Sequence, residues 1–108
     1  MKFKKTFAWL LSTLLIITTI PFSASAETFE EDGYIFEING DGAAVIKDYV
    51  GTEKDLVIPD NLGGVTVSEI KNGAFRNKGL TSVVIPVTVQ KIGSSAFYGN
   101  HLQDVDIK

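Results

Sequence analysis

The chain has 108 residues and no cysteine, with thirteen acidic residues against ten basic ones. The missing thiols exclude a disulfide framework, thiolate metal sites and cysteine nucleophiles. The acidic balance weighs against nucleic acid and anionic membranes, both of which need clustered Lys and Arg.

Met1 to Ala26 has the three parts of a secretory signal. Lys2, Lys4 and Lys5 form the positive start, Phe7 to Ile20 the apolar run, and Ala24-Ser25-Ala26 a small-residue cleavage site, so that Glu27 becomes the new amino terminus. As a helix the apolar run would be roughly 21 Å long, short of the roughly 30 Å hydrocarbon core, and Pro21 stops it. All three basic residues of this segment leave with it and no acidic one does. The remaining chain carries seven basic and thirteen acidic residues, a formal charge of −6.

The segment 27–33 is acidic and patternless, and is expected to be a disordered leader. From Tyr34 the residues alternate, with Tyr34, Phe36 and Ile38 on one face and Ile35 and Glu37 on the other, the period of a half-buried strand. Asn39-Gly40-Asp41-Gly42 supplies turn residues and Ala43 to Tyr49 resumes the extended pattern. Residues 34–54 therefore read as a β-hairpin that caps the amino end of segment 55–108. Glu37, Asn39, Asp41, Gly42 and Asp48 also fall at calcium-loop spacing. Such a loop begins with Asp, ends with a bidentate Glu and is flanked by helices, so here a plain turn is the expectation.

Residues 55–108 are repetitive. Shifted by 22 positions, Val65, Thr66, Val67, Ile70, Ala74, Phe75, Leu80, Val83 and Ile85 meet identical residues at Val87, Thr88, Val89, Ile92, Ala96, Phe97, Leu102, Val105 and Ile107. An earlier strand, Asp55 to Pro59, matches Ser82 to Pro86 at a spacing of 27, the extra residues lying in the loop-like insertion Asp60 to Gly64. A period in the low twenties belongs to a solenoid in which each coil carries one short strand and a return segment. In the central copy Leu80, Val83 and Ile85 point inward, Val89 and Ile92 make a second extended piece, and Ser94 or Ser95 caps a single helical turn holding Ala96 and Phe97. Gly99-Asn100 ends that turn with positive φ. Phe75 and Phe97 occupy equivalent places in successive coils and are expected to stack.

These residues resemble the BspA-like leucine-rich repeats of bacterial secreted and surface proteins, whose units read approximately LxxVxIPxxVxxIGxxAF. The central copy fits through Leu80, Val83, Ile85, Pro86, Val89, Ile92, Gly93, Ala96 and Phe97. The earlier copy fits through Leu56, Ile58, Pro59, Val67, Ile70, Ala74 and Phe75, with Lys71 in place of Gly and Glu53 in place of Leu. The resemblance implies a mainly β leucine-rich-repeat solenoid, two coils plus a final strand. It also implies display outside the cell and binding or adhesion to other proteins, without naming a partner.

Catalytic chemistry finds little to work with. His101 is the single histidine and sits in a polar turn, lacking the further ligands a metal needs, and Ser94 and Ser95 have no nucleophile elbow around them. No enzyme, cofactor or metal site is expected. The candidate site is a surface instead. Outward positions on successive strands place Asp55, Ser82 and Asp104 in one row and Val57, Val84 and Asp106 in the next, a mixed acidic and apolar patch on strands about 4.8 Å apart. Such a face is either a solvated sheet surface or a site for a protein partner. The leading reading is a non-catalytic exported binding module, secreted or held at the cell surface. The alternative is a truncated amino-terminal fragment of a longer surface protein with no independent activity. In either case strand 102–107 is an unprotected edge through which the chain could self-associate.

Overall fold

The computed structural model describes residues 27–108, so the signal segment and the Ala26 side of its cleavage site lie outside the described residues. Among the described residues nine strands form two sheets. They are β1 (Phe29–Glu31), β2 (Tyr34–Ile38), β3 (Ala44–Tyr49), β4 (Asp55–Val57), β5 (Asn61–Leu62), β6 (Val65–Ile70), β7 (Ser82–Ile85), β8 (Lys91–Ile92) and β9 (Asp104–Ile107). One sheet runs β1-β2-β3-β6-β5 with β8 also on β6, and the other runs β4-β7-β9. All strand pairs between coils are parallel, as a coil that repeats in one direction requires: β3 with β6, β6 with β8, β4 with β7 and β7 with β9. The chain is mainly β, with the two sheets on opposite sides of a single apolar core.

The core is a column of equivalent side chains. Leu56 and Val83 pair in register, and Ile58 comes next with its amide donating to Val84 O (3.0 Å). The rings of Phe75 and Phe97 stack with centroids 5.2 Å apart and planes 4° apart. At the amino end Tyr49 and Tyr34 continue the column against Phe75, at 5.7 and 6.2 Å. Gly93 is a point where one coil touches the next. A Cβ there would run into the backbone of Asn72, so the second coil needs a glycine where the first carries Lys71.

Four expectations need correction. The leader 27–33 is not disordered along its length, because Asp32-Gly33, with φ of 53° and 89°, turns the chain so that β1 pairs antiparallel with β2. That dipeptide is a strong hairpin signal, and it sets Phe29 on Phe36 at 5.7 Å. The segment 34–54 is likewise not a separate two-stranded cap. It contributes the last two strands of a three-stranded meander, and β3 is itself a rung, hydrogen-bonded in parallel to β6. The insertion Asp60 to Gly64 is not a plain loop: Gly63-Gly64, both at positive φ, fold β5 back on β6, and Leu62 is buried. Glu31 Oε1 accepts from Gly63 N at 2.8 Å and ties this turn to β1.

The fourth correction concerns the return segments, which are turns and not single-turn helices. Ala74 N donates to Lys71 O and Ala96 N to Gly93 O, both 3.1 Å, which is the spacing of a turn. The intervening amides go to the neighbouring coil, Phe75 N to Ala96 O and Asn77 N to Tyr98 O at 2.8 Å each. An α-helix would need those N–H groups for its own chain, so coil-to-coil bonding wins them. The expected cap is replaced as well, since Ser95 N donates to Asn72 Oδ1 of the preceding coil (2.6 Å).

Candidate functional site

The parallel register of β4, β7 and β9 brings all six sequence-derived residues onto one face. Asp55, Ser82 and Asp104 form one rung, and Val57, Val84 and Asp106 form another two residues along. Alternation along each strand turns these residues away from the core, whose own side chains Leu56 and Val83 lie between them. Val57 is 67% exposed and Val84 half-buried beside it. An exposed valine pair on a regular sheet is the least water-compatible part of the face.

The carboxylates on this face are not equivalent. Asp55 Oδ1 accepts from Ser82 Oγ (2.9 Å) and Thr81 Oγ1 (3.0 Å), so it links the first coil to the second. Asp106 lies 3.6 Å from Lys108 Nζ, an exposed pair of small worth. Asp104 has no hydrogen-bond or ion-pair partner among the described residues. Sequence reasoning missed Thr81 and Lys108. Thr81 precedes the inward-outward pattern of the strand, and Lys108 comes after it, so periodicity marked neither.

The other sheet shows how the chain treats charges it does not present. Glu37 on β2 pairs with Lys47 on β3 (3.6 Å), and Glu69 on β6 pairs with Lys91 directly opposite on β8 (3.9 Å). Acid meets base across those strands. On β4, β7 and β9 the residues directly opposite the acids are a serine or a valine, which leaves this face net negative and partly apolar.

The remaining candidates are accounted for structurally. In the turn 39–42, Asn39 Oδ1 accepts from Asp41 N (2.8 Å) and Ala43 N (3.0 Å), closing the β2–β3 hairpin. Asp48, at its far end, points instead to Tyr49 N (2.8 Å) and Lys78 Nζ (3.3 Å). The acids at calcium-loop spacing are thus dispersed. His101 is exposed, with its backbone N–H on Leu80 O. Tyr98 is exposed but covered on one face by the Arg76 guanidinium, 5.2 Å from the ring centre.

Two polar groups that tie neighbouring segments together were not legible in the repeat. Asn100 Nδ2 donates to Phe75 O (2.7 Å) and Phe97 O (2.8 Å), while its Oδ1 accepts from Lys78 N (2.9 Å) and Leu80 N (3.0 Å). It therefore staples one return turn to the next, and of the pair Gly99-Asn100 only Gly99 takes a positive φ. Tyr34 donates its hydroxyl to Val57 O at 3.3 Å. Burial, with Tyr49 beside it, pushes the Tyr34 phenol far above the usual tyrosine range.

The profile of the BspA-type leucine-rich repeat region (6 copies) matches residues 54–108, about half of the chain. Among solved structures, a leucine-rich cell surface protein of Faecalibacterium prausnitzii is similar at 38% identity over 81% of this chain, with a TM-score of 0.70. A leucine-rich repeat protein of Bacteroides capillosus is similar at 32% identity over 75% (TM-score 0.66), and the T. pallidum leucine-rich repeat protein at 25% identity over 74% (TM-score 0.67). The chain spans 25%, 65% and 39% of the lengths of these three proteins. A search of curated proteins finds no match.

Proposed function

The chain belongs to the BspA-type leucine-rich repeat family, and from that premise we propose that it is a non-catalytic, exported protein-binding module. The binding surface is the outer face of β4, β7 and β9, with Asp55, Val57, Ser82, Val84, Asp104 and Asp106 at its centre. The partner is a protein rather than nucleic acid or an anionic membrane, a choice the acidic balance supports. Export through cleavage between Ala26 and Glu27, and residence in the medium or at the cell surface with a role in adhesion, complete the reading. It is supported by the signal-like amino end and by the similarity to a cell surface protein. The β1–β3 meander covers the first coil in this reading.

The observation that carries the proposal is the contrast between the two sheets. Paired Val57 and Val84 lie among acids with no base directly opposite on this face, whereas the other sheet neutralises Glu37 and Glu69 within the molecule. The test is the double variant Val57→Ser, Val84→Ser, compared with the parent for retention of extracellular proteins on an immobilised chain. Binding should be lost while the melting temperature stays within about 4 °C, as expected of surface positions. Undiminished binding would remove this face from the reading.

A second reading is the amino-terminal part of a longer surface protein, favoured by the chain spanning a quarter of the F. prausnitzii protein. Its module would then contribute structure rather than an activity of its own. Further VxIP and IGxxAF copies in the downstream coding sequence would support it, and unrelated sequence after an authentic stop would overturn it.

A further inference from the structure

The sheet that carries the candidate face begins at β4, and the backbone of that strand is divided between two sides. Lys54 O accepts from Ser82 N (3.3 Å) and Ile58 N donates to Val84 O (3.0 Å), so Lys54, Leu56 and Ile58 turn their backbone groups to β7. Successive residues of a strand direct N–H and C=O to opposite sides, so Asp55 and Val57 turn theirs away from β7. Tyr34 closes this edge at one atom, donating its hydroxyl to Val57 O (3.3 Å) from that outer side. Among the described residues Asp55 N, Asp55 O and Val57 N have no hydrogen-bond partner. Both residues are exposed, and unpaired groups at a strand edge are a template for an added strand.

Charge decides what kind of strand fits there. Ser82 Oγ and Thr81 Oγ1 hold Asp55 by Oδ1, which leaves Oδ2 free to accept. Glu53 lies two residues earlier, with its N–H on the Tyr49 hydroxyl (3.3 Å), and Asp32 stands in the turn that leads into Tyr34. Both acids are exposed, both raise the pKa of the Tyr34 hydroxyl that touches β4, and neither has an ion pair among the described residues. Lys54, the base of this stretch, is drawn toward the second coil, its ammonium on Lys78 O (2.9 Å). Two exposed valines accompany the acids, Val57 on the strand and Val50 with its N–H on Gly33 O. A second copy of the chain would set Asp32, Glu53 and Asp55 against the same acids, and like charges across paired strands are destabilising. A basic strand meets complementary charge instead.

We propose that β4 takes up an extended, basic segment of a partner protein as an added strand, which rests on the reading of this sheet as a protein-binding surface and gives the partner's chemistry. The segment's backbone bonds to Asp55 N, Asp55 O and Val57 N, and Tyr34 on Val57 O marks where the pairing stops. In either strand direction, the residues beside Asp55 and Val57 lie two positions apart and both point outward. The one beside Asp55 is Lys or Arg, bound to the free carboxylate oxygen in the field of Glu53 and Asp32. The one beside Val57 is apolar. Backbone pairing supplies affinity, and these two side chains select the sequence.

The probe is the end-blocked peptide Thr-Lys-Thr-Val-Thr-Lys-Thr-Val, which offers Lys and Val two positions apart in both directions. With saturating peptide, amide hydrogen exchange at Asp55 and Val57 should slow about ten-fold, while Leu56, already paired with β7, stays unchanged. The same peptide with Glu in place of Lys should not bind, and about 0.5 M salt should weaken the parent peptide. Glu53→Lys should lower its affinity about five-fold. Val57→Pro deletes the N–H that faces the partner and leaves the β4–β7 bonds intact, as an edge strand tolerates, and should lower affinity about ten-fold. Melting curves confirm that the variants fold, and Glu53→Lys decides the matter should Val57→Pro unfold. Unchanged exchange at Asp55 and Val57 up to about millimolar peptide, equal binding of the Lys and Glu peptides, affinity indifferent to Glu53→Lys, or Asp55 and Val57 amides already protected by self-pairing without peptide would each overturn the proposal. The underlying reading fails separately. If the peptide has no effect while Val57→Ser with Val84→Ser abolishes capture of extracellular proteins, the edge falls and the face stands. If the peptide protects Asp55 while that double variant captures undiminished, the face falls and the edge stands.

Discussion

The first and last coils use the same inward positions and bury them very differently. Leu56 and Ile58 at the amino end are buried, whereas Val105 and Ile107, their equivalents two coils later, stand mostly in solvent. The side chains are of one class and the register is continuous through β7. What differs is the neighbour. Beyond β4 lie Tyr34 and the β1–β3 meander, while beyond β9 no further strand lies among the described residues. An inward direction is set within one coil, but burial is a property of two, so stability in such a stack accumulates at boundaries between coils.

Four experiments test that difference, the first with the largest expected effect. Phe75 has a ring on both sides of it and Phe97 on one. Phe75→Ala should cost about 3–5 kcal/mol and Phe97→Ala about half as much in urea unfolding. Equal losses would show that the column does not weaken toward its carboxyl end. Next, Ile58→Ala should cost about 2–4 kcal/mol, against less than about 0.5 kcal/mol for Ile107→Ala at concentrations where the chain is monomeric. A comparable loss at both sites would mean that the last strand is covered in solution.

Asn100 sharpens the comparison at the boundary between the second coil and the final strand. Asn100→Ala removes four hydrogen bonds and leaves backbone groups of two turns unpaired, for an expected loss of about 2–3 kcal/mol. Amide hydrogen exchange at Lys78 and Leu80 should accelerate in the same variant, and protection there that is unchanged would contradict the staple. The smallest effect belongs to the closed edge. Tyr34→Phe deletes the bond to Val57 O and should cost about 1 kcal/mol near neutral pH.

Tyr34 also gives the amino end a pH signature. Its phenol is held protonated by burial and by Tyr49, with its pKa raised above the unfolded value of 10.0. The unfolded chain therefore releases this proton first as pH rises. The stabilisation is complete below about pH 10 and declines above it. Denaturation curves collected between neutral pH and about pH 11 should fall less steeply for Tyr34→Phe than for the parent. Parallel curves would show that the phenol is not the group responsible.

Much of the candidate face was legible because, in a parallel stack, aligning the repeats and aligning the strands are the same operation. That is why shifts of 27 and 22 positions placed Asp55 beside Ser82 and Ser82 beside Asp104. The ring stack of Phe75 on Phe97 obeys the same rule. Asp32-Gly33 and Gly63-Gly64 carried turn chemistry in plain sight, yet the first strand at each turn, β1 or β5, is only three or two residues long and shows too little alternation to be read. The return segments misled for another reason. Helix and turn share their local residue preferences, and the choice lay with carbonyls of the next coil.

By itself, the amino-acid sequence determined the repeat, the inward and outward sets of each strand, the register between coils and the acidic character of the outer face. These come from periodicity and from charge, which are properties of the chain read along its length. Tertiary structure alone decided that Asp55 is committed to Ser82 and Thr81, that Asn100 bridges four backbone groups, that Tyr34 closes one edge and that Val105 and Ile107 remain open at the other. Each of those outcomes depends on a donor, an acceptor or an apolar surface supplied from a different coil, so no single stretch of sequence contains it.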